Sequence, residues 1–530
     1  MKNIVTLLMA ALLAISATQA QTSTTDNPLF RHIPADADQV YAIHIAGLIG
    51  KVDMMSLMKL AQSQKFGKDN PMSYLSDISN TGIDLRQDII IAQKTPLNTD
   101  SPTCVSILAH LTDSGKFVAF LRKNEKEIHF MHIQGKVRSA TSGKQAYAWD
   151  DKLVTMVVIK HSKGQVVDDL VKAKYRATAV IRAVAAIRGF DHSFYASDER
   201  FAKGFSDDAD IQIWNHGSSG FGLLSKLMQM APAAASAHSG DFSQFVQKAH
   251  KASTLSTIRF ESGKLVFQTT RYLTGDDSVN SARFLATPVG DKLLTAMPAG
   301  KVLGVVAMHV DLAASLDNLR KYGMDTKVDS SLSSKGLSTQ DILHAFSGDF
   351  LFVANVPDTG KTPLLYGAVG IADKTAFDKV AGLLKPAGPA AGDTTPPKKQ
   401  HLFLATKNDI AVISGSQQHA DAWFNSTGSA TPSRLISPDL RTNAFLMAID
   451  FQVGADLLAK VLTKGDTIAT RDQKLLDMIR QFDSFVATAP SSQHGATSMT
   501  YQLNFTDRNK NALASLMELA ASAAKARKGN

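Results

Sequence analysis

Short runs of apolar residues, many alternating with polar ones, recur along the chain, and helical patterns interrupt them irregularly. Val40 to Ile45, Cys104 to Leu111, Thr254 to Phe260 and Leu265 to Tyr272 read as strands. Leu48 to Leu60, Val166 to Arg188, Leu312 to Tyr322 and Asn509 to Lys528 carry helical periodicity. Alternation suits antiparallel sheets with one face covered by helices. The pattern therefore predicts an α+β fold rather than a doubly wound parallel one.

The pattern also repeats. Ile33-Pro34-Ala35 leads into the strand Val40 to Ile45, and Met297-Pro298-Ala299 leads into Val302 to Val310. A helical pattern follows each strand. Leu85-Arg86-Gln87-Asp88-Ile89-Ile90 resembles Thr339-Gln340-Asp341-Ile342-Leu343. Strand Cys104 to Leu111 and strand Leu365 to Ile371 each run into an Asp placed to cap a helix, Asp113 and Asp373. Phe117 and Phe377 stand four residues on, placed to pack inward. Tyr147 to Leu153 matches Phe403 to Ile410 as a hairpin, and Asp210 to Trp214 matches Phe445 to Asp450. A run of matches in one order points to an internal duplication. The expected organisation is a signal peptide at 1–20, a first α+β unit at 21–292 and a second at 293–530. Within the second unit, the Pro/Gly/Ala stretch 386–399 reads as a mobile loop.

The first residues set the address. Lys2 supplies a positive charge, Ile4 to Ala17 an apolar core, and Thr18-Gln19-Ala20 a small-residue site, so cleavage is expected between Ala20 and Gln21. That core is shorter than the roughly 20 apolar residues a span needs, and no later segment reaches that length. The chain is thus expected to be exported, periplasmic or extracellular, without a transmembrane span. Its lone cysteine, Cys104, has no partner for an intramolecular disulfide and sits among apolar neighbours, which reads as a buried, inert thiol. Lys plus Arg is 57 and Asp plus Glu is 48; without Lys2 the balance is 56 against 48, or +8. Spread over this length the charge is mild: it fits an anionic surface such as lipid head groups or polysaccharide, and equally a plain soluble protein, since no dense basic run accompanies it. The partner expected is an envelope component, whether protein, lipid or glycan, and not a nucleic acid.

No motif completes a catalytic constellation. Gly360-Lys361-Thr362 lacks the upstream glycine of a phosphate loop and precedes strand-like residues. Ser56 and Lys59, like Ser522 and Lys525, have the spacing of a serine–lysine pair without its partner motif. His129 and His132 stand three apart in a strand, so they point to opposite faces. Asp77, Ser79, Thr81, Gly82 and Asp88 outline a calcium loop without its closing Glu. Asp207, Asp208 and Asp210 form a short acidic cluster. Gly217-Ser218-Ser219-Gly220 is one residue short of a hydrolase elbow. Asn425 and Asn504 match glycan acceptor triplets. No cofactor, metal or catalytic residue is expected. The most basic local surface is the helix Val166 to Arg188, where Lys172, Lys174, Arg176, Arg182 and Arg188 are candidate contacts for an anionic partner. A membrane-surface helix would gather these charges opposite Val180, Val184 and Ile187, but at about 100° per residue they scatter around it, so the stripe is expected to pack on a core.

The Ile33-Pro34-Ala35-Asp36-Ala37 turn after a signal-like start, with the later Gly82-Ile83-Asp84-Leu85, resembles exported Bacteroidetes proteins known as the domain-of-unknown-function 4836 type. Members often carry a lipid-anchor cysteine, whereas this chain has Gln21. The resemblance implies an envelope location and transfers no catalytic residues. The leading expectation is a non-enzymatic binding protein. The alternatives are an envelope glycan or peptide hydrolase with dispersed carboxylates, and a structural or assembly factor.

Overall fold

The computed structural model describes residues 27–52, 81–94, 102–160, 168–216, 253–272, 286–297, 301–321, 325–357, 362–382, 402–425, 442–463, 468–491 and 496–528. Single positions within these spans, 126, 133, 134, 144 and 206–208, are excepted; Arg283 and Leu435 are described besides. Residues 1–20, expected to be a signal peptide, with the cleavage pair Ala20 and Gln21, and the stretch 386–399 lie outside the described residues.

The strands are β1 (Gln39–Ile43), β2 (Ile89–Lys94), β3 (Thr103–His110), β4 (Ile128–His132), β5 (Arg138–Ser142), β6 (Gln145–Trp149), β7 (Leu153–Lys160), β8 (Ile211–His216), β9 (Ser253–Glu261) and β10 (Lys264–Tyr272) in the first repeat. The second holds β11 (Lys301–His309), β12 (Phe346–Val356), β13 (Leu364–Ile371), β14 (Phe403–Lys407), β15 (Ile410–Ser414), β16 (Asn443–Asp450), β17 (Phe482–Pro490) and β18 (Ala496–Phe505). The chain folds as two compact units. One comprises residues 1–269 with 509–530, the other 270–508.

In the first unit the strands lie in the order β9, β8, β1, β2, β3, β7, β6, β5, β4, each pair antiparallel. In the second the order is β18, β17, β16, β11, β12, β13, β15, β14, again antiparallel throughout. Placing β8-β1-β2-β3-β7-β6 on β16-β11-β12-β13-β15-β14 leaves the same order, so the duplication holds at the level of topology. The first unit adds the hairpin β4–β5, which has no counterpart among the described residues of the second.

The repeat and spatial boundaries do not coincide. The closing helix Ala512–Lys528 follows the last strand of the second repeat, yet Leu513 and Met517 pack into the first unit's core with Ile43, Ile91, Val105, Phe117 and Trp149. The spatial boundaries therefore fall at 269/270 and 508/509 rather than at 292/293. A helix goes where its apolar face finds apolar area, whichever repeat encodes it.

Local chemistry explains why the repeats fold alike. Asp113 accepts a hydrogen bond from the Lys116 amide and Asp373 from the Ala376 amide, both at 2.9 Å, capping equivalent helices. Phe117 and Phe377 are buried beneath them, as their spacing predicts. The β14–β15 turn uses Asn408 and Asp409 at φ 52 and φ 60, the left-handed values a two-residue hairpin requires. Gly82, at φ 73, lies so close to helix Ser114–Asn124 that an added Cβ would sit 2.1 Å from the Asp113 carbonyl oxygen.

One register differs from the sequence match. Asp88, which precedes β2, corresponds to Asp349 in β12 and not to Asp341. Asp341 instead closes a capping box with Ser338 at the start of helix Thr339–Ala345. The two units also bury one sheet face unequally. Ile91 and Val105 are fully buried in the first, whereas their counterparts Phe352 and Leu365 are 52% and 67% exposed.

Candidate functional site

Helix Asp169–Arg188 carries the basic residues singled out in the sequence. It starts where the Asp168 carboxylate accepts a hydrogen bond from the Val171 amide at 2.7 Å, and it stops at Gly189, φ 81. Its inward stripe is Ala179, Ala183, Val184 and Ile187, packed on Ala146, Ala148, Val157 and Ile159 of β6 and β7. Small alanines let the helix lie close to the sheet.

The five basic side chains divide. Arg182 turns inward. Its guanidinium meets the Asp36 carboxylate at 2.6 Å, and Lys94 reaches the same carboxylate at 3.1 Å. Burial pushes the Asp36 carboxyl up, but the hydrogen bonds and charges of Arg182 and Lys94 outweigh it and hold the group below the usual range. Arg182 is therefore a structural ion-pair partner, not an open contact. Lys172 is exposed and pairs with Asp169 at 2.8 Å. Lys174, Arg176 and Arg188 are exposed and have no carboxylate partner within ion-pair distance among the described residues.

Two residues that the sequence reading passed over share this helix. Leu170 is 80% and Ile181 68% exposed. Leu170, Lys174, Ala177, Ile181 and Arg188 follow one another at helical intervals of three, four and seven, which brings them to one outward face. The spacing was visible in the sequence. It was obscured because a second stripe, the alanine-rich one, runs along the opposite side.

The second feature is a clasp present in both units. In the first, His44 Nδ1 lies 2.9 Å from Asp88 Oδ1, and the Asn27 side-chain amide donates to Asp88 Oδ2 at 2.7 Å. In the second, His309 Nδ1 lies 2.9 Å from Asp349 Oδ1, and the Gly290 amide donates to that oxygen at 3.0 Å. Asn27 and Gly290 are the N-caps of the equivalent short helices Pro28–His32 and Asp291–Thr295. Each clasp thus fastens a helix start to the ends of two strands. Ser347 donates to Asp349 at 3.1 Å, on the carboxylate side, and no serine, threonine or cysteine side chain among the described residues hydrogen-bonds either histidine. This is not the order of a hydrolytic triad.

The Asp88 hydrogen bond raises the His44 pKa above its ordinary 6.5. Burial opposes that effect, the charges of Asp88 and Asp210 add to it, and Lys51 subtracts. The folded chain therefore holds this proton more tightly than the unfolded chain. The pair contributes fully below the unfolded value, and its contribution is lost as pH rises through the higher folded one. His110, held low by burial, runs the opposite way, so the wild-type slope is a difference. The clean measurement is the gap in urea midpoint between wild type and His44→Gln, expected to shrink from pH 5.5 to pH 8. An equal gap at both pH values would contradict the clasp.

The remaining sequence candidates part company in space. Asp210 gives both oxygens to Lys51 at 2.6 Å and accepts the Phe260 amide at 2.7 Å, so it faces positive donors where a cation would need a bare carboxylate. Asp207 and Asp208 lie outside the described residues, as do Asp77, Ser79, Ser56, Lys59, Gly217 to Gly220, Gly360 and Lys361. Thr81 caps Ile83. His129 and His132 lie in strand β4, as their surroundings predict. Asn504 is buried and donates to Ser484 at 3.0 Å, a setting without room for a glycan. Burial pushes the Cys104 thiol up, in keeping with an inert role. No helix among the described residues is long and apolar enough to cross a membrane, and no group of His, Cys, Asp and Glu among them could hold a metal ion.

A scan against protein-family models matches none, and no curated protein matches by sequence. Two solved structures, crystal forms III and IV of TP0453, each align at TM-score 0.27. Form III shares 8% identity over 49% of this chain and 88% of that one, and form IV 9% over 48% and 82%. Similarity at that level carries no argument about function.

Proposed function

We propose that this chain is an exported cell-envelope protein that binds a partner and does no chemistry on it. The reading rests on where its ionisable groups are spent. Among the described residues, carboxylates with low exposure are tied to protein donors: Asp88 and Asp349 in the clasps, Asp198 on Arg200, Asp210 on Lys51, and Asp450 on the amides of Gln452 and Val453; the more open Asp36 is held by Arg182 and Lys94. A glycan or peptide hydrolase with two carboxylates needs one held protonated, its pKa raised. The resolved carboxylate shifts, at Asp36, Asp84, Asp169 and Asp341, all run downward. Unspent basic and aliphatic groups lie instead on the outer face of helix Asp169–Arg188. The signal-like pattern of the first residues supports export.

The test has two arms. The immobilised full chain should retain an envelope component, protein, lipid or glycan, over a control protein of equal charge. Incubation with envelope glycan and peptide substrates should release no product. Hydrolysis that disappears in Asp88→Asn or Asp349→Asn would overturn the reading.

A further inference from the structure

We propose that the outward face of helix Asp169–Arg188 is a contact surface for an anionic lipid bilayer, an inference that names the partner class for the binding reading above. Two independent properties of the face converge. First, its charges are both positive: Lys174 and Arg188 lie on the stripe, while Asp168 is engaged as the helix cap and Asp169 pairs with Lys172 on another side of the helix. Second, Leu170 and Ile181 stand out from the same stripe, 80% and 68% exposed, three turns apart and in line with Lys174 and Arg188.

Either property alone is ordinary. Single exposed aliphatic residues are common on protein surfaces. Scattered lysines solubilise. Together they match what a headgroup layer rewards. Cations near an anionic surface gain about 1 kcal/mol each, and aliphatic side chains gain by passing beneath the headgroups. Long basic side chains can reach back up to the phosphates while their stems stay with the apolar residues. A soluble polyanion, such as a glycan or nucleic acid, would reward the charges but leave Leu170 and Ile181 in water. The aliphatic pair is therefore what selects lipid over the other anionic partners.

The inward side of the helix makes this contact rigid rather than induced. Ala179, Ala183, Val184 and Ile187 anchor it on the sheet, and the half-buried Arg182–Asp36 pair holds its middle. The helix would lie flat on the bilayer without leaving its unit. That distinguishes it from a helix that must detach in order to insert.

The experiment is sedimentation of the full chain with vesicles of phosphatidylcholine containing one third phosphatidylglycerol, beside vesicles of phosphatidylcholine alone. Binding to the anionic vesicles is expected, with little to the neutral ones. The pair Lys174→Glu/Arg188→Glu and the pair Leu170→Ser/Ile181→Ser should each weaken partition at least about tenfold. All four side chains are exposed, so circular dichroism and urea midpoint should stay unchanged. Full binding by either double variant would overturn the proposal, as would no binding to anionic vesicles at low salt. Sensitivity to the charge pair alone would assign the face to a soluble polyanion instead. The two proposals fail separately. Retention of an envelope protein without vesicle binding removes the lipid contact and leaves the binding reading standing. Hydrolysis of envelope substrate removes the binding reading whatever the vesicles show.

Discussion

Phe201→Ala is expected to destabilise the first unit by about 3–5 kcal/mol, the usual cost of emptying a core ring position. Phe201 is fully buried and touches rings on every side. Its centroid lies 4.4 Å from Phe205, 5.0 Å from Phe194, 5.2 Å from Phe30 and 5.6 Å from Trp214, mostly edge-on. These residues come from the short helix Pro28–His32, the pair of helices Phe194–Ser197 and Glu199–Gly204 with Phe205 after them, and strand β8. The ring is therefore the common filler between these segments. Removing it leaves a cavity whose walls, being rings, collapse poorly. Urea unfolding followed by tryptophan fluorescence will read the change through Trp214. A loss below about 1 kcal/mol would mean that the cluster does not carry this end of the unit. Because the chain has two units, the measurement should be fitted as two transitions, and the second should not move.

Asp210→Ala should cost about 3 kcal/mol, near the low end for breaking a buried pair, because Lys51 keeps some water. The carboxylate is 3% exposed and the Lys51 side chain 29%. Two different elements depend on it: Lys51 ends helix Ile45–Gly50, and Phe260 belongs to β9. Alanine strands both the lysine charge and the Phe260 amide. Asp210→Asn keeps an acceptor for the amide and should lose less. The double variant Lys51→Met/Asp210→Asn should cost less than the sum of its single changes, since the two residues share one interaction. Strict additivity would show that the pair contributes nothing beyond its parts.

Much of the architecture was readable before the fold. The α+β class, the duplication and the capping aspartates Asp113 and Asp373 all follow from local rules: alternation, turn chemistry and the need of a helix start for an acceptor. The same local rules misled at Asp341. It resembles Asp88 in its neighbours, Gln-Asp-Ile, but its role is settled by a capping box. The true counterpart, Asp349, lies in a strand and is recognisable only by strand register. The helix was read as packing on a core and as the most basic local surface, with Arg182 counted among its candidate contacts. Only the fold reveals that Asp36, distant in sequence, lies beneath it.

Sequence alone thus determined what each segment must be, because helix caps, hairpin turns and strand alternation are decided within a few residues. Tertiary structure decided which segments meet. It sent the last helix to the first unit, paired His44 with Asp88 and His309 with Asp349, and left Leu170 and Ile181 in water while Ala179 and Ala183 went under. Those outcomes depend on burying area and matching charge between residues far apart in the chain, and no window along the sequence contains both partners.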